Sequence, residues 1–303
     1  MNEAFITLQQ VLIIFIILIV GMFLAKKGLV DSNGSKQMSN LVVNIVSPAV
    51  IFMSFQTDYD PAKVHGLLLT FLLTFTVYVI TIPLSILFIR KKDSTDAAIE
   101  RMAVVYSNCG FMGIPLVAGI FGYEGVFYVS AVIAVFNIMI WTHGVLLMRD
   151  KLSAKDFVSV LKSPNIIAIV LGLICYFLQL RVPFIPKETL QHFANMNTPL
   201  AMLISGFSMA NADLKSLFLN ARTYLMCAIK LIVFPIIILL VLKLFNAPET
   251  VYMAVVITAA CPSAGMSTIL ALKYNRNATY ASELVAASTL LSVITLPIIV
   301  LIA

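Results

Sequence analysis

Along the 303 residues, apolar positions neither stripe one helix face nor alternate as in a half-buried strand; they run on for about twenty residues between short polar connections. At a rise of 1.5 Å per residue, a run of roughly 20 apolar residues is what a helix needs to cross a hydrocarbon core. Ten runs can be placed, over 5–25, 36–56, 66–89, 98–121, 126–148, 165–180, 188–210, 222–244, 250–274 and 279–302. The pattern predicts an all-α integral membrane protein with ten transmembrane helices. Composition agrees: mean hydropathy is +1.02, with 61% hydrophobic and 11% charged residues. A soluble domain has about 25% charged residues, so an ordinary water-soluble globule is excluded.

The few charges are placed unevenly. The opening "MNEA" holds an acid and no base, and Lys26 and Lys27 follow the first run. A cleaved signal peptide has the reverse order, so a retained helix with its N-terminus outside is expected. Of the 20 Lys and Arg residues, 15 fall in odd-numbered connections, Lys63, Arg181, Lys187 and Lys243 fall in even ones, and Lys230 lies inside the eighth run. The positive-inside rule then puts the odd connections in the cytoplasm and both termini outside the cytoplasmic membrane. Topology thereby explains the net charge of +6, which is no sign of nucleic acid. Cys109, Cys175, Cys227 and Cys261 all fall within runs, without metal-type spacing, and read as small apolar residues.

Sliding the chain against itself by 151 residues aligns Gly21 with Gly172, Lys36 with Lys187, "NIVSP" at Asn44 with "NMNTP" at Asn195, and "MAVV" at Met102 with "MAVV" at Met253. Pro83 meets Pro235 one residue out of step. Five runs per half is an odd number, so the second half would enter the membrane upside down. The expected architecture is two inverted five-helix repeats, residues 1–148 and 165–303, joined by a cytoplasmic linker at 149–164. Secondary transporters use such repeats to supply outward-open and inward-open states of similar energy.

The fourth and ninth runs contain their own helix breakers. "YSNCGFMGIPL" holds Asn108, Gly110, Gly113 and Pro115, and "TAACPSAGMST" holds Pro262 and Gly265. A break between Asn108 and Pro115 is expected, because proline lacks an N–H and clashes with the preceding turn. Non-helical backbone at membrane depth is tolerated only beside protein or a water-filled cavity. Two such breaks at midplane would bring half-helix ends together. N–H groups near Met112–Pro115 and Gly265–Ser267 suit a carboxylate, and carbonyls near Ser107–Cys109 and Ala259–Cys261 suit a cation or a donor. The alternative is a pair of proline kinks that only shape packing.

The segment "NCGFMGIPL" resembles the fourth-span motif of the auxin efflux carrier family, whose bacterial members are often described as malate permeases or organic-acid transporters. "ALKY" at Ala271, "YAS" at Tyr280, "ST" at Ser288 and Ser292, Thr295 and Pro297 extend the resemblance through the second half. It implies broken, crossing fourth and ninth helices in a fold like that of bile-acid sodium symporters. It also implies a dimeric scaffold of the first, second, sixth and seventh spans, with the remaining spans moving in an elevator-like step. The long central hydrophilic loop of the plant carriers and their "NPNTYS" motif are both missing, which argues against indole acetate as substrate.

Other intramembrane polar residues extend the candidate site. Lys230 could attract an anion, pair with a carboxylate, or snorkel toward the surface beside Arg222. Glu283, with Ser107 and Ala259, is a candidate for coupling to H+ or Na+, though an acid in a first helical turn needs no such role. Glu100 and Arg101 read as the solvated start of the fourth span. Asn44 with Ser47 and Asn195 with Thr198 read as cavity wall or bend stabilisers, and His65, His143 and His192 as interfacial histidines. No nucleotide-binding or hydrolytic motif is found. The expected function is gradient-driven transport of a small organic anion, without a metal or other cofactor. A sodium-coupled symporter of bile-acid type and a non-transporting organic-acid sensor are the alternatives.

Overall fold

A computed structural model describes residues 3–90, 96–149, 158, 160–210 and 220–303, with the side chains of residues 3–8 and 11 left aside. Most of the linker expected at 149–164 lies outside the described residues. The helices are α1 (Glu3–Lys26), α2 (Ser32–Ser54), α3 (Pro61–Phe88), α4 (Ala97–Val105), α5 (Cys109–Met148), α6 (Pro164–Phe177), α7 (Phe184–Asn195), α8 (Asn197–Ala210), α9 (Ala221–Phe245), α10 (Glu249–Ala260), α11 (Met266–Lys273) and α12 (Ala278–Ile302). Among the described residues the one strand-like feature is a single bridge between Ser107 and Ser263.

Five helices, α2, α3, α5, α9 and α12, are long and apolar enough to cross a membrane by length and composition. Residues Leu12–Lys26, α6 and α10 are shorter apolar helices. The third run begins earlier than hydropathy predicts because Asp60 Oδ1 accepts the Ala62 N–H at 2.8 Å and Pro61 fills the first helical turn, where its missing donor costs nothing. The fourth and fifth runs are joined within α5, which kinks at Gly122 with φ 61° and ψ −149°, a backbone region that side chains disfavour. Along α3, Leu68, Leu72, Phe75, Val79 and Ile86 are each more than half exposed on one face. An apolar face turned outward at this length belongs against lipid.

Close helix contacts use glycine. A Cβ on Gly206 of α8 would lie 2.1 Å from the Leu18 carbonyl oxygen of α1, and one on Gly21 would lie 2.4 Å from the Leu203 carbonyl oxygen. Small residues let the two backbones approach this closely where lipid supplies no hydrophobic drive between helices. Gly172 of α6 makes the corresponding approach to Phe55, which follows α2. Gly21 and Gly172 are therefore both points of tight contact, each with a helix from the other half of the chain.

Three prolines share one solution to the helix-breaking problem. Turns of π-helix at Val42–Val46, Cys109–Gly113 and Ile229–Val233 each end two residues before a proline, namely Pro48, Pro115 and Pro235. In each, the residue before the proline donates its N–H five residues back: Ser47 to Val42, Ile114 to Cys109 and Phe234 to Ile229. The extra residue makes room for the proline ring and uses the backbone groups around it. Pro115 thus sits inside a continuous helix, and the break expected between Asn108 and Pro115 lies instead at Tyr106–Asn108. Gly206→Val should lower stability by about 1–3 kcal/mol through overpacking, whereas Gly110→Ala, at a position with nothing within 4 Å, should stay within about 1 kcal/mol. Thermal unfolding of the two variants in detergent checks the difference.

Candidate functional site

The unwound residues after α4 and α10 meet as an antiparallel pair. Asn108 N–H donates to the Pro262 carbonyl at 2.8 Å, and Ala264 N–H donates to the Tyr106 carbonyl at 2.9 Å. Side chains repeat the exchange: Ser107 Oγ donates to the Ala259 carbonyl, and Ser263 Oγ to the Ala103 carbonyl, both at 2.8 Å. Each serine satisfies a carbonyl left without its helical partner at the end of the other helix. The paired residues are 156 apart, whereas "MAVV" recurs at 151, so the register at the breaks differs from that of the sequence repeat. By position in the bridge, the counterpart of Asn108 is Ala264, and Pro262 is not the counterpart of Pro115.

Lys230, 2% exposed in the π turn of α9, reaches this crossing. Its Nζ donates to Ser107 Oγ and, at 3.3 Å, to the Ala259 carbonyl. Snorkelling is thereby ruled out. The carbonyl expected to attract a coupling cation or a donor is held by the protein's own hydroxyl and amine. No ion pair to Lys230 is present among the described residues, so its amine has no acidic partner in a setting where a buried charge is expensive. Beside it, a cavity of about 20 Å³ lies between α3, α5 and α10, lined by Thr74, Tyr78, Ser107 and Thr258 among others, with room for about one water.

Asn108 is the N-cap of α5. Its Oδ1 accepts the Phe111 N–H at 3.3 Å, and its own carbonyl accepts from Met112 and Gly113 at 3.1 and 3.2 Å. The N–H groups of Met112 and Gly113, expected to be open to a carboxylate, are therefore used locally. Pro115 supplies no donor and is buried. Gly113 is a packing residue, since a Cβ there would lie 2.9 Å from Thr258 Cγ2. Gly110 and Gly265 differ: a Cβ on either would meet nothing within 4 Å, so open space adjoins both half-helix starts. Ser267, at the start of α11, is fully buried, and its hydroxyl has no partner among the described residues.

Other expectations are redistributed. Asn44 is exposed and bonds the Asn40 carbonyl within the π turn of α2, and Asn195 is exposed and accepts from Gln191. Ser47 instead bonds the buried Asn197 at 3.2 Å, linking α2 to α8, with Thr198 half-buried beside it. His143 is half-buried, its Nδ1 2.9 Å from the Tyr106 hydroxyl, which also lies 2.8 Å from the Met139 carbonyl.

Glu100 and Arg101 are not solvated. Arg101 donates to the Ile89 carbonyl, through Nε at 2.9 Å, and Glu100 is fully buried, paired through both oxygens with Arg222 at 2.9 and 2.8 Å. The Tyr280 hydroxyl donates to Glu100 at 3.2 Å. Glu283 lies in the same cleft as this trio, one and a half turns along α12 from Ser288, whose hydroxyl accepts the Ser263 N–H. The one sequence signal for this cluster is the placement of Glu100 and Arg222 just inside apolar runs; what they pair with is a matter of tertiary structure.

The chain is matched by the family model described as "Membrane transport protein" twice, over residues 6–159 and 151–300. It is similar to an uncharacterized transporter of Methanothermobacter thermautotrophicus, 23% identical over 96% of both chains. A second uncharacterized transporter, from Methanocaldococcus jannaschii, is 24% identical over 69% of this chain and 71% of its own. A candidate malonate transporter of Rhizobium meliloti is 23% identical over 88% of this chain and 87% of its own.

Glu100→Gln should destabilise the protein by about 3 kcal/mol, because removing one member of a buried ion pair strands the other. Tyr280→Phe should cost only about 1 kcal/mol. Thermal shift in detergent separates the two.

Proposed function

Because the chain belongs to the membrane transport protein family, that of the auxin efflux carriers, and is a membrane-embedded transporter, we propose that it carries small organic anions and holds their carboxylate at the crossing of the broken helices. The observation that carries this reading is Lys230: a buried ammonium, without an acidic partner among the described residues, at the point where α4 and α10 end. An anionic substrate supplies the missing counter-charge. Open space at Gly110 and Gly265 lets it approach the backbone, and Asn108 and Ser267 are the polar side chains nearest those two helix starts in the chain. The name of the Rhizobium meliloti relative supports a short dicarboxylate such as malonate or malate.

Ten spans as two inverted five-helix repeats complete the proposal. The two family matches, one per half, support the repeat, and so does the antiparallel meeting of the breaks with their exchanged hydroxyl bonds. In the cytoplasmic membrane, with both termini outside, a homodimeric scaffold of α1, α2 and α6–α8 would let the crossing move between faces in an elevator-like step. The tight glycine contacts of α1 with α8 and of α6 with the end of α2 suit a rigid scaffold. An H+ or Na+ gradient would drive the cycle.

Protein in liposomes, offered labelled malonate, malate, lactate and pyruvate under imposed H+ or Na+ gradients, should accumulate at least one acid under one gradient. Lys230→Met should lose at least 100-fold in uptake while its melting temperature is unchanged or raised, since Ser107 still bonds the Ala259 carbonyl and a buried charge has been removed. Asn108→Ser keeps a capping oxygen and Asn108→Ala costs about 1 kcal/mol of stability; both should lose uptake. Normal uptake by well-folded Lys230→Met sinks the anion-at-crossing assignment.

A further inference from the structure

We propose a second anion site, a capture cleft for small carboxylates at the end of the bundle that carries the α2–α3 and α6–α7 connections, in which Asp58 occupies the position of a ligand carboxylate. The choice of carboxylate rests on the transport reading above. The cleft has a volume of about 380 Å³ and is lined by Gln56, Thr57, Asp58, Arg181, Val182 and Lys187.

Basic residues are scarce in the even-numbered connections, which hold only Lys63, Arg181, Lys187 and Lys243. Three of the four converge here: Arg181 and Lys187 line the cleft, and Lys63 donates to Thr57 Oγ1 at 2.8 Å. The wall is also pre-organised. Tyr176, 1% exposed, accepts the Asp60 N–H at 2.9 Å and ties the α2–α3 connection to α6. Gln56 Oε1 accepts the Val182 N–H at 3.1 Å, which fixes the orientation of the amide. Gln56 Nε2 is left shielded from water with no acceptor among the described residues. A buried donor without an acceptor is costly.

Asp58 explains how the cleft stays selective for carboxylates without binding them too tightly. Its side chain is 98% exposed and pairs with Arg181, itself 42% exposed. So exposed a pair contributes little, and a ligand carboxylate can displace Asp58 while keeping the guanidinium and gaining Lys187. The neighbouring acid, Asp60, is already engaged as the cap of α3. The result is a site whose occupancy is set by competition between an internal and an external carboxylate, and whose strength falls with salt.

The test places a cysteine at Thr57 and measures its reaction with anionic and cationic methanethiosulfonates, over the background of the parent chain. The anionic reagent should react at least tenfold faster at low salt, and malonate should slow it; both effects should vanish in Arg181→Gln/Lys187→Gln. Asp58→Asn should strengthen malonate protection several-fold, a direction that loss of a merely structural ion pair does not produce. Equal rates with no protection, or weaker protection in Asp58→Asn, overturn the proposal. Calorimetry on the chain with Thr57 intact asks the same question: malonate binding that survives Lys230→Met and is lost in Arg181→Gln/Lys187→Gln supports the cleft, and the reverse overturns it. Protection without uptake in liposomes keeps the cleft and removes the transport reading. Uptake with an unchanged KM in the double variant, and no protection, does the opposite.

Discussion

A peptide group that has left its helix at membrane depth must find a partner in the protein, because hydrocarbon offers none. Everything at the crossing follows from that requirement. Two chains that break at the same level can satisfy each other, provided that they run in opposite directions and present donors to acceptors. The Tyr106–Asn108 and Pro262–Ala264 segments do so through two backbone bonds. Ser107 and Ser263 then take up the carbonyls that the helix ends leave over. What remains is a polar knot inside an apolar bundle, closed by its own hydrogen bonds except for one positive charge.

The proposed function rests on that charge. A closed polar knot would be a structural joint and nothing more. Lys230 adds an ammonium whose partners are a hydroxyl and a carbonyl, both neutral. Elsewhere the same fold shows how it treats a buried charge that needs no ligand: Glu100 is met by two guanidinium nitrogens of Arg222 and by the Tyr280 hydroxyl. The carboxylate is fully provided for and the amine is not, and on the proposed reading an anionic substrate makes up the difference.

Much of this was legible in the residue order, at the coarsest level most reliably. Apolar runs locate the helices because hydrocarbon selects on composition alone, and the breakers in "YSNCGFMGIPL" and "TAACPSAGMST" located the crossing. The place of the break was misread by a few residues. Pro115 looks decisive in sequence, but a π turn accommodates it, and the chain leaves the helix earlier, where antiparallel pairing is available. Local rules could not supply that, since the partner is 156 residues away. The same limit hid the environment of Glu100 and the pairing of Ser47 with Asn197, which depend on helix faces whose phase shifts at each π turn. Asn44 and Asn195, by contrast, matched as a repeated motif and yet sit exposed, because a shared motif records ancestry or backbone bending without fixing what a side chain faces.

The mutual satisfaction of the two breaks also constrains the order of assembly. During synthesis at roughly 5–20 residues per second, the second break follows the first by about 8 to 30 s. Over that interval the Asn108 N–H and the Tyr106 carbonyl have none of the partners they hold in the finished protein. The first half must therefore wait with its break wetted or shielded by something else, and the joint between the two breaks cannot close until the Pro262–Ala264 segment has been made. A truncated chain ending before α10 would keep its helices and lack its joint.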